Sequence, residues 1–172
     1  MKRLIAALVM ALPLVSPAAD PQWIGVLGHG VDAADTDIAR IGYRFALPEK
    51  DAWWMPTHVQ LGGSVWRVPD LAGTTRRFDL NATSIWRSEK RWGYLEGGVG
   101  GYLLSHTINN EDTSMPSSFE FGSHLGLGFR LAKNQTLGIG LQHLSNAGIK
   151  QPNGGINLVL IQYTVSTGTP NR

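Results

Sequence analysis

The chain has 172 residues, which fits one domain, and a formal net charge of only +2, which argues against a nucleic-acid partner. It has no cysteine, so a disulfide framework is excluded. Glycine is abundant at 21 residues, and the mean hydropathy of −0.09 without a long apolar run excludes a helical membrane protein but not a β-barrel, whose strands alternate.

Residues 1–19 have the layout of a secretory signal peptide. Two cations, Lys2 and Arg3, precede an apolar run over residues 4–15, and small residues follow as far as Ala19. The run is too short for a membrane-spanning helix, which needs about 20 residues. We therefore expect an exported chain whose folded part is residues 20–172.

After residue 20, apolar and polar residues alternate with a period of two, and the alternation is broken by clusters of Gly, Pro, Asn and Asp. This pattern predicts β-strands, most of them long enough to cross a bilayer at a tilt, which takes about 9–11 residues. Eight strands are predicted, over residues 22–30, 37–47, 57–67, 75–87, 91–106, 117–132, 135–147 and 155–166.

The predicted connections differ in length between the two ends of the strands. Short turns are expected at Ser88–Lys90 and Lys133–Asn134, and a longer link at Pro48–Pro56 carries tryptophans suited to a membrane interface. The other end has long polar loops at 31–36, 68–74, 107–116 and 147–154. Long loops on one side, short turns on the other and an even strand number predict an eight-stranded antiparallel transmembrane β-barrel.

The predicted strands over residues 37–47, 91–106 and 117–132 each have one large apolar face and one small or charged face. The interior of an eight-stranded barrel has room only for side chains, so we expect the small and charged face inside and the apolar face against lipid. A soluble lipocalin-like barrel would need the opposite orientation. The charges predicted to lie inside, where they need to pair with one another, are Arg40, Arg44, Glu96, Glu120 and Arg130.

Polar residues interrupt the apolar face near the predicted loop 147–154. His143 and Ser145 are two residues apart and so share a strand face, and Asn157 begins the outward face of the next strand. Polar groups facing lipid are unfavourable unless paired, so these three are expected to hydrogen-bond. A serine with a histidine base and an orienting third group is a nucleophilic arrangement. No metal-ligand spacing is present, and no metal or cofactor is predicted.

Residues 143–157 resemble the signature of the lipid A 3-O-deacylase family, PagL. The family motif His-x-Ser-Asn-Ala-Gly-x-Lys-x-Pro-Asn-x-Gly is matched at every fixed position, and Glu96-Gly97-Gly98-Val99-Gly100 is similar to the family's Glu-Ala-Gly-x-Gly strand, with Gly97 in place of Ala. The resemblance implies an outer-membrane barrel that cleaves the 3-O-linked 3-hydroxyacyl chain from lipid A of lipopolysaccharide, without a metal or nucleotide cofactor.

The resemblance also implies site residues. It makes Ser145 the nucleophile, His143 the general base and acid, and Asn146 a contributor to the oxyanion hole. The family's acid is a Glu where this chain has Asn157, which can accept a hydrogen bond from the imidazole but adds no charge. The chain is therefore a weaker enzyme, an enzyme adapted to Asn, or an inactive variant. Lys150 and Arg76 are candidates to meet the lipid A phosphates.

Other functions remain open at this point. An eight-stranded barrel can be a non-catalytic structural or adhesion protein, and other outer-membrane lipid enzymes, such as a phospholipase or an acyltransferase, would suit the same wall. The expected partners are lipopolysaccharide and outer-membrane lipid, with no nucleic acid, and a homodimer is left open. The expected location is the outer membrane of a Gram-negative cell.

Overall fold

A computed structural model describes residues 21–32, 36–48, 54–70, 73–109 and 114–167, so the expected signal peptide lies outside the described residues. Among the described residues no helix is long and apolar enough to span a membrane. The strands, in chain order, are β1 (Gln22–Gly30), β2 (Asp37–Ala46), β3 (His58–Asp70), β4 (Gly73–Lys90), β5 (Gly93–Leu104), β6 (Ile108–Asn109), β7 (Ser114–Met115), β8 (Phe119–Ala132), β9 (Gln135–Ser145) and β10 (Ile156–Ser166).

Eight of these strands form a closed antiparallel barrel in the order β1-β10-β9-β8-β5-β4-β3-β2, and β6 pairs with β7 in a small separate hairpin. Closure joins the first strand to the last, with Trp23 opposite Val165 and Gly30 opposite Leu158. Because every barrel strand has two neighbours, the backbone hydrogen bonds are made within the wall, as a span through hydrocarbon requires. The eight predicted barrel strands are confirmed.

The outer wall is apolar, and the lumen holds buried charges together with a cluster of buried apolar side chains such as Ile24, Trp66 and Leu158. Large side chains point away from the barrel all round it, for example Leu80 at 69 % exposed and Leu125 at 71 %, whereas Arg44 and Glu96 are buried. An apolar belt of this extent is stable only against lipid. The predicted orientation of the two faces is confirmed, and the chain is a transmembrane barrel rather than a lipocalin-like one.

Ion pairs and hydrogen bonds inside the lumen join both neighbouring and distant strands. Glu96 on β5 accepts hydrogen bonds from Arg44 on β2 at 2.9 Å and from Arg87 on β4 at 2.7 Å. Arg40 donates to Gln142 across the lumen at 3.2 Å.

Two of the charges expected inside, Arg130 and Glu120, do not form such contacts in the lumen. Arg130 is exposed at the rim, 3.6 Å from Glu89, because β8 extends beyond the lumen there. The carboxylate oxygens of Glu120 have no hydrogen-bond partner among the described residues.

The backbone pairing of the strands extends further than predicted at two hairpins. β4 continues through Lys90, so the turn lies at residues 91–92 rather than 88–90, and β3 and β4 pair as far as Asp70 opposite Gly73. In both places polar residues at the rim still make backbone pairs, since a strand outside the membrane needs no apolar face.

Candidate active site

A row of polar side chains crosses the outer wall near the loop end of the barrel. Ser123 on β8 lies opposite His143 on β9, and His143 lies opposite Asn157 on β10. Asp32, two residues beyond the end of β1, completes the row. All four side chains are exposed on the outside of the barrel. Directly opposed residues have Cβ atoms about 4.5–5.5 Å apart, so the row is close enough for side-chain contact.

A hydrogen bond fixes the imidazole of His143. Its Nδ1 lies 2.8 Å from Oδ1 of Asn157, and since a carbonyl oxygen only accepts, Nδ1–H is the donor. In a neutral ring the other nitrogen, Nε2, then carries a lone pair. This is the tautomer that a general base needs.

Asn157 is itself held by Asp32. Its backbone N–H donates to Oδ1 of Asp32 at 2.9 Å, and its side-chain Nδ2 donates to Oδ2 of the same carboxylate. The backbone carbonyl of Asn157 accepts a hydrogen bond from the backbone N–H of Val31 at 2.9 Å. The segment after β1 is thereby attached to the start of β10.

Ser145 is the last residue of β9 and shares the outward face with His143. Gly155 leaves the space between them open. A Cβ placed on Gly155 would lie 3.1 Å from Cε1 of His143 and 3.2 Å from Cβ of Ser145, so both side chains border the same point. No hydrogen bond joins them in the described part of the chain, which is common for catalytic pairs without substrate because such bonds tighten on binding.

The loop that follows Ser145 is organised by Asn146. This side chain is fully buried, donates from Nδ2 to the carbonyl of Lys150 at 3.0 Å, and accepts from the Lys150 N–H at 3.3 Å. Its backbone N–H donates to Asn153 at 3.1 Å. The next two residues, Ala147 and Gly148, have positive φ of 53° and 79°. Asn146 therefore holds the loop in shape beside Ser145.

Below the polar row the wall is apolar, with exposed Leu141 and Ile139 on β9 and Val159 and Ile161 on β10. The arrangement thus offers a hydroxyl, an oriented imidazole and an apolar surface that leads away from them toward the middle of the barrel. It is suited to nucleophilic attack on a lipid. Within the described ranges, no three His, Cys, Asp or Glu side chains are grouped as metal ligands would be.

Comparison with known proteins identifies relatives of this site and barrel. The family model for lipid A 3-O-deacylase (PagL) matches residues 37–166. The chain is 36 % identical over 107 residues to lipid A deacylase PagL of Bordetella bronchiseptica, a match that covers 61 % of this chain and 59 % of that one. The chain belongs to the lipid A 3-O-deacylase family. It is also 36 % identical over 72 residues to the Pseudomonas aeruginosa lipid A deacylase PagL, which covers 42 % of this chain and 41 % of that one.

Solved structures agree on the fold. The crystal structure of the outer membrane enzyme PagL matches with a TM-score of 0.66 and 22 % identity, over 84 % of this chain and 98 % of that one. Neisserial surface protein A matches with a TM-score of 0.51 and 11 % identity, over 86 % and 94 %. Antiparallel barrels of this architecture cross bacterial outer membranes, so the predicted location is confirmed.

In this member of the deacylase family, the structure places His143, Ser145 and Asn157 near one another. Among the described residues, His143 and Asn157 hydrogen-bond as expected, whereas the expected bond of Ser145 to this pair is not made. The prediction that Asn146 supplies an oxyanion donor stays a prediction, and its contacts count against it, because its backbone N–H and its amide already bond within the loop. Lys150 donates from Nζ to the carbonyl of Pro116 at 2.9 Å.

Arg76 is not brought to the site. It is exposed on β4, which lies across the barrel from β10 in the strand order. One lipid A bound at His143 could not also reach an arginine on the far side of the wall. Phosphate binding by Arg76 at this site is therefore not supported by the fold.

Two members of the polar row escaped the sequence analysis, Ser123 and Asp32. Ser123 interrupts an otherwise apolar face of β8, and the alternation of apolar and polar residues in the sequence is enough to identify it as a polar residue on the outer wall. Asp32 lies in a polar loop where an acidic residue is unremarkable. Only barrel closure, which sets β1 beside β10, brings it to Asn157.

Proposed function

We propose that the chain is an esterase that removes the 3-O-linked 3-hydroxyacyl chain from lipid A in the outer leaflet of the outer membrane. The observation that carries the proposal is the hydrogen bond from Nδ1 of His143 to Asn157 at 2.8 Å, on the lipid-facing wall beside Ser145. This bond leaves Nε2 as a base on a surface that lipid can reach from the side. The family motif around Ser145 supports the same assignment.

The proposed reaction runs through an acyl-enzyme. Ser145 Oγ attacks the ester carbonyl while Nε2 of His143 takes the hydroxyl proton. The tetrahedral intermediate collapses, the C–O bond to the sugar breaks, and His143 returns the proton to the sugar oxygen. Water then attacks the acyl-serine with His143 again as base. The products are a 3-hydroxy fatty acid and lipid A with a free 3-hydroxyl group.

Donors for the developing oxyanion are best sought in the backbone after Asn146. The N–H groups of Ala147 and Gly148 make no hydrogen bond to another described residue, and they lie two and three residues after Ser145 in an exposed loop. Ala147 has φ of 53°, a left-handed conformation that costs a non-glycine residue about 1–2 kcal/mol. Such outliers cluster at functional sites, where the geometry is part of the mechanism.

The position of the site on the wall favours lipid A as substrate. Long loops mark the outer end of a barrel of this type, and the site lies next to loop 146–155. Lipid A there has its acyl esters at the boundary between head groups and hydrocarbon. Its chains can lie along Leu141 and Val159, which are exposed below the site. No pore is needed for access.

Purified, refolded protein incubated with lipid A in mixed micelles tests the proposal. Mass spectrometry should show lipid A losing one 3-hydroxyacyl group, and the free acid should appear in equal amount. An acyltransferase would instead add an acyl mass, and a phospholipase would leave lipid A unchanged and cleave phospholipid.

The matched control is the other serine beside His143. Ser145→Ala should abolish release, whereas Ser123→Ala, which removes the same hydroxyl from the neighbouring strand, should retain it. If release survives in Ser145→Ala, or if the wild-type chain releases no more acid than this variant, the proposed function is wrong.

A further inference from the structure

The third group of the proposed catalytic set is a neutral amide. An amide orients an imidazole only if its oxygen, rather than its nitrogen, faces Nδ1–H. The two ends of an asparagine side chain are nearly equal in size, and sterics alone distinguishes them poorly. Something else on the wall has to hold Asn157 with Oδ1 toward His143.

Asp32 has the chemistry to do this. An ionised carboxylate only accepts hydrogen bonds, so the Asn157 amide facing it must present Nδ2, which leaves Oδ1 for His143. The second carboxylate oxygen accepts the backbone N–H of Asn157 at 2.9 Å. The carboxylate thus accepts hydrogen bonds from both the main chain and the side chain of Asn157, and these bonds fix the position and the orientation of the amide.

Asp32 also places a negative charge behind the amide. Hydrogen bonds in a chain polarise one another, so a carboxylate on Nδ2 makes Oδ1 a stronger acceptor. As His143 becomes an imidazolium, that acceptor stabilises it. Water around the exposed Asp32 screens the charge, so the effect is smaller than for an acid in direct contact.

We propose that Asp32 is a positioning residue for catalysis, which orients Asn157 and supplies, one residue further from the imidazole, the negative charge that Asn157 lacks. The inference rests on the proposed esterase function. It also explains how a chain with Asn in place of an acid keeps a row of hydrogen bonds from His143 through Asn157 to a carboxylate.

Asp32→Asn is the first test, because the new amide can donate or accept and no longer dictates which way Asn157 faces. We expect kcat for acid release from lipid A to fall roughly 10- to 100-fold, the range for outer partners that orient metal-ligating histidines, with KM unchanged. Asp37→Asn is the matched control. Asp37 is also an exposed outer acid, but it is paired with His29 at 2.8 Å and Arg67 at 3.1 Å rather than with a residue of the row, and its variant should keep the wild-type kcat.

A charge exchange separates positioning from a purely structural role. In Asp32→Asn/Asn157→Glu, the new Glu accepts from His143 Nδ1–H and from the Asn at position 32, and kcat should return to at least the wild-type value. Asn157→Glu alone puts two carboxylates in contact, and it should be less active than the double variant. A kcat in Asp32→Asn equal to the wild-type value, or a double variant no better than Asp32→Asn, would overturn the inference.

The ring nitrogens of His143, followed by ¹⁵N NMR in micelles, give a readout that does not need turnover. The wild-type chain should show one tautomer with the proton on Nδ1, and Asp32→Asn should show a mixture. If the wild-type chain fails to act on lipid A, the proposed function is lost, but this change of tautomer would still support Asp32 as the orienting group. A tautomer unchanged in Asp32→Asn would overturn that role whatever the activity.

Discussion

The barrel wall has polar groups on both surfaces, and the two sets are satisfied in different ways. In the lumen, Glu96 accepts from Arg44 and Arg87, and each of these side chains is 1–3 % exposed. On the outside, His143, Asn157 and Asp32 form a single chain of hydrogen bonds on an exposed surface. The inner set is closed on itself, whereas the outer chain ends at an imidazole nitrogen.

The difference indicates that the inner polar groups stabilise the barrel, whereas the outer ones serve a reaction. Buried charges must be neutralised where they lie, and the pair of Arg44 with Glu96 connects strands that are not neighbours in the wall. Polar groups on a lipid-facing surface cost free energy and give little stability in return, so a set of them in one place indicates a function. Substitutions on the two surfaces should therefore fall into two classes, those that unfold the barrel and those that stop the reaction.

The sharpest test is to remove the proposed base. His143→Ala should lower kcat/KM for lipid A at least about 10⁴-fold, since loss of the histidine of a serine hydrolase costs that much or more. Its guanidinium unfolding midpoint, followed by tryptophan fluorescence in micelles, should stay at the wild-type value. A midpoint that falls with the activity would mean that the outer row holds the barrel together, and the contrast between the surfaces would be lost.

Glu96→Ala should do the reverse. It leaves Arg44 and Arg87 buried without their carboxylate, which costs about 3–5 kcal/mol of unfolding free energy. The fraction that remains folded should cleave lipid A with the wild-type kcat. Glu89→Ala is the control, because Glu89 is 59 % exposed and lies 3.6 Å or more from its arginines, and it should cost less than about 1 kcal/mol.

The contrast between the inner and outer surfaces also explains which features of the fold and the site could be predicted from the sequence. Alternation along each strand is enforced by lipid on one side and a narrow lumen on the other, so the strand number, the two faces and the need for charges such as Arg44 and Glu96 to pair inside the barrel could be predicted. The motif placed His143, Ser145 and Asn157 on one face because a two-residue spacing does so in any strand.

What could not be predicted depends on register and on loops. The partner of Glu96 on β4, Arg87, is fixed only by the β4–β5 register, and the contact of Asp32 with Asn157 needs the register of β1 against β10. The turn at residues 91–92 was misplaced because polar residues outside the membrane end the alternation before they end the ladder. The contacts of Asn146 within its loop could not be read from the motif, and the prediction that it supplies an oxyanion donor stays a prediction.

Gly155 lies where the outer row meets the wall, and an alanine there should give an intermediate effect. Gly155 has φ of 66°, and an added Cβ would lie 2.7 Å from the carbonyl oxygen of Leu144 and against His143 and Ser145. The backbone must shift. Since a displacement of reacting groups by about 1 Å can lower the reaction rate about 10²-fold, we expect kcat to fall roughly 10- to 100-fold. Gly25→Ala is the control because nothing lies within 4 Å of its added Cβ, and it should match the wild-type chain.

The smallest effect is expected at Lys150, which tests how far the site extends into the loop. Its ammonium donates to the carbonyl of Pro116 at 2.9 Å and is exposed, so it is already partly engaged within the protein. Exposed charged contacts are worth about 0–1 kcal/mol, which corresponds to less than about a 5-fold change. Lys150→Ala should therefore raise KM less than about 5-fold and leave kcat unchanged, because a phosphate contact acts on binding and not on the ester.

Bisphosphorylated and dephosphorylated lipid A separate the two roles of Lys150. If Lys150 meets a phosphate, the rise in KM should appear only with the phosphorylated lipid, and it should shrink as salt is added, because screening weakens an exposed ionic contact. If Lys150 only ties the loop to Pro116, both lipids should respond equally. A kcat that falls with either lipid would mean that the loop contact holds the catalytic row, which would extend the outer set from the wall into loop 146–155.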